Sequence, residues 1–246
     1  LLWAAIGIYP CFIWSACPIP AQFESARVTQ VIDGDTLEIK DGARVRLIGI
    51  DTPEIGHDGK ADDPGARQAS SALRAMIAAS GWRVRLVPDG EGRDRYGRRL
   101  AHVLDERGRN LSEQLLVRGL AYPTPFPTNP KFLGCYQEAG NEARHARRRL
   151  WSRPPLEATR LGSTTSGFER VAGLVKSVAT DRDGLRIALA GGLELRIHSE
   201  DRAYFDAAWL ATLKGQRLEV LGWIYRQQGQ PRMRLRHPAA IISPLP

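Results

Sequence analysis

Apolar and polar positions alternate with a period of two over three early stretches, Ala26–Asp33 (ARVTQVID), Thr36–Lys40 and Arg44–Ile50 (RVRLIGI). That period predicts strands. In the third, Val45, Leu47 and Gly49 fall on one face and Arg44, Arg46 and Ile48 on the other. Gly34 allows a tight bend, Asp41-Gly42 is a hairpin turn signal, and Pro53 ends the ladder because it has no N–H. The period then lengthens. Over Gly65–Ser80, Ala69, Leu73, Met76 and Ile77 recur at helical spacing, and Gly81 follows as a C-cap. Trp82–Val87 and Arg99–Leu104 return to strand spacing around a charged loop, Pro88–Arg98. Helices follow at Leu111–Arg118 and Lys131–Leu150, the second opening after Pro130. Five strands with a helix after the third is the order of an OB-type barrel.

The second half repeats this order. Residues 153–166 hold Pro154-Pro155 and several Ser, Thr and Gly, which predicts a linker between a first domain at 25–152 and a second at 167–246. Strands are predicted at Val171–Ala179, Gly184–Leu189 and Leu193–His198, a helix at Ala203–Leu213, and strands at Arg217–Tyr225 and Arg232–Leu235. The fold class is therefore mainly β with helices: an OB-type five-stranded barrel followed by a second OB-like barrel.

Residues 1–23 carry no charge and resemble the apolar region of a signal peptide, which predicts an exported protein, periplasmic or secreted. The alternatives are membrane association through this segment, weakened by Pro10, Pro18 and Pro20, and a lipid at Cys17. Three cysteines are too few for a disulfide framework or a Cys-rich zinc site, which leaves Cys135 as a free thiol. Lys and Arg outnumber Asp and Glu by 35 to 27, a balance that favours polyanions, nucleic acid before a membrane surface.

The candidate chemistry lies in Val31–Glu54 (VIDGDTLEIKDGARVRLIGIDTPE), which gathers Asp33, Asp35, Arg46, Asp51 and Glu54. Charges packed this densely are costly unless a metal or an anion completes the site. Asp35, Asp51 and the carbonyl of Thr52 are hard oxygen donors suited to Ca²⁺, although spacing alone does not select it over Mg²⁺. Glu54 could deprotonate an attacking water. Arg46 and Arg98 offer planar forks for the charge that develops in phosphodiester cleavage. Asp-Gly-Asp or Asp-Thr-Pro-Glu alone would more often be an ordinary turn.

VIDGDT, RLIGIDTPE, DRYGRRLA, LVRGLA and a helix ending RRLW, in that order from Val28 to Ser152, closely resemble the staphylococcal nuclease (thermonuclease) family. The resemblance implies Ca²⁺-dependent endonuclease action on DNA and RNA, with products ending in 3′-phosphate. It assigns Asp35, Asp51 and Thr52 to the metal, Asp33 to its surroundings, Glu54 as general base, and Arg46 and Arg98 to the scissile phosphate. Arg95 and Tyr96 match a Lys-Tyr pair at a neighbouring phosphate. Tyr122 stands near the tyrosines that pack on the base, with Phe126 a weaker candidate in a Pro-rich stretch (PTPFPTNP) that departs from the family. His57 and Asp58 belong to an added polar loop.

The second barrel carries no carboxylate cluster with Arg partners. Its segment Gly222–His237 (GWIYRQQGQPRMRLRH) mixes aromatics with Arg, a composition suited to single-stranded nucleic acid unless Trp223, Ile224 and Tyr225 are core. Two readings compete with the nuclease: a non-catalytic nucleic-acid-binding protein, and a membrane-tethered assembly or adhesion module. The first would show a lost Glu, Arg or metal Asp, and none is lost. No feature calls for an obligate protein partner.

Overall fold

The computed structural model describes residues 17–56 and 59–243. The apolar stretch 1–16, and with it most of the proposed signal segment, lies outside the described residues, as do His57 and Asp58. No helix among the described residues is long and apolar enough to cross a membrane.

Strands β1 (Glu24–Val31), β2 (Thr36–Ile39) and β3 (Arg44–Leu47) form an antiparallel meander. After a short β4 (Ile50–Asp51) and helix α1 (Ala66–Ala79), β5 (Arg83–Val87) and β6 (Arg99–Asp105) complete a closed barrel in the order β1-β2-β3-β6-β5. The β3–β6 pair is parallel, which needs a long crossover, and α1 with β5 supplies it. Leu37, Val45, Leu47, Ile77, Leu86 and Val103 are buried in its core, so the inward alternation of β3 is as the sequence pattern requires. Helices α2 (Leu111–Val117) and α3 (Leu133–His145) pack below, joined by β7 (Tyr122–Pro123), which pairs with β4.

The remaining strands are β8 (Leu156–Glu157), β9 (Gly167–Asp181), β10 (Gly184–Leu189), β11 (Glu194–His198), β12 (Arg217–Gln227), β13 (Gln230–Arg234) and β14 (Ile241–Ser243), with α4 (Ala207–Thr212) between β11 and β12. Pairing of β12 with both β13 and β9 closes a second five-stranded barrel, β9-β10-β11-β13-β12. Val171, Ile187, Leu195, Leu218 and Val220 form its core. A third cluster joins the barrels: Ala143 and Trp151 from the first half meet Leu221 and Ile242 from the second, with Tyr122 and Phe168 against them.

Several expectations change. The third strand does not run to Ile50. It breaks at Gly49, whose φ of +83° and contact with the Tyr136 ring leave no room for a Cβ. Ile48 is consequently buried rather than sharing a face with Arg44. The long helix predicted to Leu150 stops at His145, and a separate 3-10 turn covers Arg149–Ser152. The helix predicted at Ala203–Leu213 splits at Asp206, whose carboxylate caps α4 by accepting from the N–H groups of Ala208 and Trp209. Part of the predicted linker is structured, because β8 adds to the second sheet beside β9. Cys135 is not a free thiol. It is bonded to Cys17, which occupies the sulfur that lipidation would need. Glu113 of α2 accepts the Cys17 N–H at 2.8 Å, so the segment before β1 is held at two points.

The disulfide spans 118 residues and encloses most of the first barrel. Cross-links over loops of this length stabilise by about 2–5 kcal/mol. The Cys17→Ser/Cys135→Ser variant is expected to lose that much in urea unfolding, and an unchanged midpoint would refute the link. His102 gives a pH signature. Burial lowers its pKa to about 4 against 6.5, despite Asp89 at 3.2 Å. The unfolded chain takes up that proton first as pH falls, so the contribution of His102 to stability should drop on the order of 3 kcal/mol between about pH 6.5 and 4. His102→Gln should flatten the unfolding profile across that window.

Candidate active site

The residues singled out in Val31–Glu54 converge at one rim of the first barrel. Asp35 sits in the bend just before β2, and Asp51 ends β4 just after the Gly49 break. Both are almost wholly buried, 3% and 4% exposed. The Arg46 guanidinium joins them, at 2.7 Å from Asp35 Oδ2 and 2.9 Å from Asp51 Oδ1. Thr52 donates its N–H and hydroxyl to Asp35 Oδ2 at 3.0 and 2.9 Å, and Asp33 accepts the Asp35 N–H at 2.9 Å. Gly34 makes this turn possible, because a Cβ there would stand 2.6 Å from Thr52 Oγ1.

Burial dominates the electrostatics. It pushes Asp35 up to about 7 and Asp51 well above the ordinary carboxylate range, with Arg46 pulling both the other way. Burial also opposes the charge of Arg46, but Asp35 and Asp51 outweigh it and raise its pKa. Glu54 is solvent-accessible, and its carboxyl is raised by desolvation and then by Asp33, against the pull of Arg46 and Arg98. One guanidinium thus serves two buried carboxylates, with two further acids nearby. A hard divalent cation would compensate that excess, and the donors are all oxygens, so the set fits Ca²⁺. Asp35, Asp51 and the Thr52 carbonyl would hold it. Among the described residues the other cluster of potential ligands, Cys17, Glu113 and Cys135, is occupied by the disulfide.

Arg98 arrives from the charged loop. Its Nε donates to Asp94 Oδ2 at 2.7 Å and its N–H to Asp94 Oδ1 at 3.0 Å. Burial works against Asp94, but these bonds prevail and hold its pKa below the ordinary range. Asp94 thus orients Arg98, a role not assigned from sequence although the residue lies in the DRYGR motif. Tyr96 is 68% exposed, and Arg95 donates to its hydroxyl at 2.7 Å with its guanidinium 4.8 Å from the ring centroid. Arg46, Asp51, Glu54, Arg95, Tyr96 and Arg98 line a single cleft of about 950 Å³.

Tyr122 does not face that cleft. Its ring lies edge-on to Trp151 and roughly parallel to Phe168 of the second barrel, and its hydroxyl donates to the Leu150 carbonyl. Its aromatic surface is used between the barrels, which corrects its assignment as a base-stacking residue. Phe126 does line the cleft, and so do Trp223 and Arg236 from the second barrel. Trp223 is 49% exposed, so it is not core. Its mixed aromatic and Arg surroundings were the only sequence signal for it.

A family model described as "Staphylococcal nuclease homologue" matches residues 44–153. Similar proteins include a thermonuclease of Staphylococcus intermedius, 40% identical over 53% of this chain and 77% of its own length. A thermonuclease of Staphylococcus hyicus is 33% identical, with 54% and 78% covered, and an uncharacterized endonuclease of Escherichia coli is 34% identical, with 51% and 76% covered.

Removing one buried charge separates stability from metal affinity. A carboxyl whose folded pKa is raised stabilises the fold when protonated and loses that contribution as pH rises through the folded value, for Asp35 between about 3.8 and 7. Asp51→Asn should therefore stabilise the protein in EDTA at pH 8, on the order of 1 kcal/mol. Saturating Ca²⁺ should raise the wild-type Tm, as binding to the folded state alone must, and leave the variant nearly unmoved. A variant that is less stable in EDTA, or that still responds to Ca²⁺, would remove Asp51 from this role.

Proposed function

Because the chain belongs to the staphylococcal nuclease family, we propose that it is a Ca²⁺-dependent endonuclease that hydrolyses phosphodiester bonds in DNA and RNA. The supporting observation is the shared cleft: two buried carboxylates on Arg46, with Glu54 and an oriented Arg98 beside them. A bound Ca²⁺ would neutralise the phosphate and polarise it toward attack.

The protein groups divide the remaining work. Glu54 lies at the accessible edge of the buried pair, where it can take a proton from a water approaching the phosphorus in line. Its raised pKa brings it closer to the working pH, which strengthens it as a base. Arg46 is held by Asp35 and Asp51 at the cleft floor and meets one equatorial oxygen. Arg98, braced by Asp94, approaches from the loop side and meets the charge growing on the phosphoryl group. Arg95 and Tyr96, exposed at the rim, would take a neighbouring phosphate. The products would end in 3′-phosphate. The Cys17–Cys135 disulfide supports an oxidising compartment, consistent with export to the periplasm or medium.

Glu54→Gln should lower kcat by roughly 10²–10⁴-fold while keeping the Ca²⁺-induced rise in Tm, and EDTA should abolish cleavage. End-labelling before and after phosphatase treatment reads the 3′-phosphate. Intact DNA and RNA after incubation with the wild-type protein at any Ca²⁺ concentration would reject the enzyme reading. Full activity of Glu54→Gln would reject the base assignment alone.

A further inference from the structure

We propose that the second barrel forms the far wall of the nuclease cleft and binds the single-stranded nucleic acid flanking the scissile phosphate, with Trp223 as a base-stacking platform and Arg236 as a phosphate-binding cation. This rests on the nuclease reading and adds to it a substrate preference and a role for the second domain.

Trp223 lies within β12 between Gly222 and Ile224, both buried. It therefore points outward, where a barrel strand ordinarily carries a polar residue. It is informative because it shares the cleft with two further rings, Tyr96 and Phe126. Its orientation is braced: Phe168 meets it edge-on at 6.2 Å, and Phe168 in turn stacks on Tyr122 at 6.1 Å. Tyr122 pairs with Asp51 across the β4–β7 ladder. A continuous row of rings thus ties the platform to the strand that carries a metal carboxylate. The inner two rings are half-buried, and the outermost is exposed and lines the cleft.

Arg236 lines the same cleft, with its guanidinium 5.8 Å from the Phe126 ring centroid. Its Nε has no hydrogen-bond partner among the described residues, and Asp201 Oδ1 lies 3.9 Å away. A guanidinium over one ring, in a cleft that a second exposed ring also lines, is the arrangement that single strands exploit, bases on the rings and phosphate on the cation. A duplex keeps its base faces stacked and offers Trp223 no ring to pair with.

Steady-state cleavage of a single-stranded oligonucleotide and of the same sequence as a duplex tests this, with anisotropy of the labelled single strand in EDTA as an activity-independent measure. Trp223→Ala should raise KM and weaken single-strand binding about tenfold, with KM changing more than kcat and the duplex affected less. Trp223→Phe should recover most of the loss and Trp223→Leu should not. Arg236→Gln should weaken binding and reduce its salt dependence. Unchanged single-strand affinity in Trp223→Ala, or an equal loss on duplex, would overturn the proposal. If wild-type protein cuts neither substrate, the nuclease reading fails, and the anisotropy series still decides the platform.

Discussion

Two carboxylates buried on a single guanidinium set the constraint that the rest of the first barrel serves. Asp35 and Asp51 come from different strands, and bringing both against Arg46 requires the chain to turn sharply twice. Gly34 allows the close approach of Thr52, and Gly49 takes a left-handed conformation under the Tyr136 ring. The hydrogen bonds of Thr52 to Asp35 then hold the carboxylate where burial raises its pKa. A site held this way is destabilising without a counter-ion, and the barrel core and the disulfide offset it from outside. Stability lies in the apolar interior and the cross-link, and strain lies at the rim where charge is needed.

The same constraint explains why the second barrel docks where it does. β4 is too short to be stable alone, and its partner β7 exposes the Tyr122 ring on its outer side. Covering that ring with Phe168 and Trp151 joins the barrels within one strand of Asp51. The packing that secures the metal strand also brings the outer face of β12 to the cleft.

Much of this was legible in the sequence, and the parts that were not have identifiable causes. The first barrel's strands and the grouping of Asp35, Arg46, Asp51 and Glu54 could be read because period-two patterning and dense motifs lie close together in the chain, and Arg98, well downstream, could be read from the family resemblance. The break at Gly49 could not, although Ile48 already puts an apolar residue on the Arg44–Arg46 face, because its cause is a ring supplied by Tyr136, far downstream. Cys17–Cys135 was missed for a related reason: one cysteine lies next to an apolar stretch that resembles a leader, so pairing them requires the folded geometry. Tyr122 was assigned to a base because it stands near the position of the family's base-packing tyrosines. Only the placement of Phe168 and Trp151 shows its ring to be engaged between the barrels.

Trp223 illustrates the limit most clearly. From sequence it stood between core and binding surface, because one strand residue's direction depends on register, and a shift of one residue reverses it. The pairing of β12 with β9, Trp223 opposite Phe168, settles that direction. Once it points outward, charge in the adjoining segment acquires a meaning that composition could not supply. The excess of Lys and Arg over the whole chain is not specific to a partner, but Arg95, Arg98 and Arg236 around one cleft with exposed rings form a surface whose chemistry is complementary to that of a polynucleotide strand. The outward direction of Trp223 follows from the register of one strand, and its place at the cleft from the packing of Phe168 on Tyr122, neither of which a motif encodes.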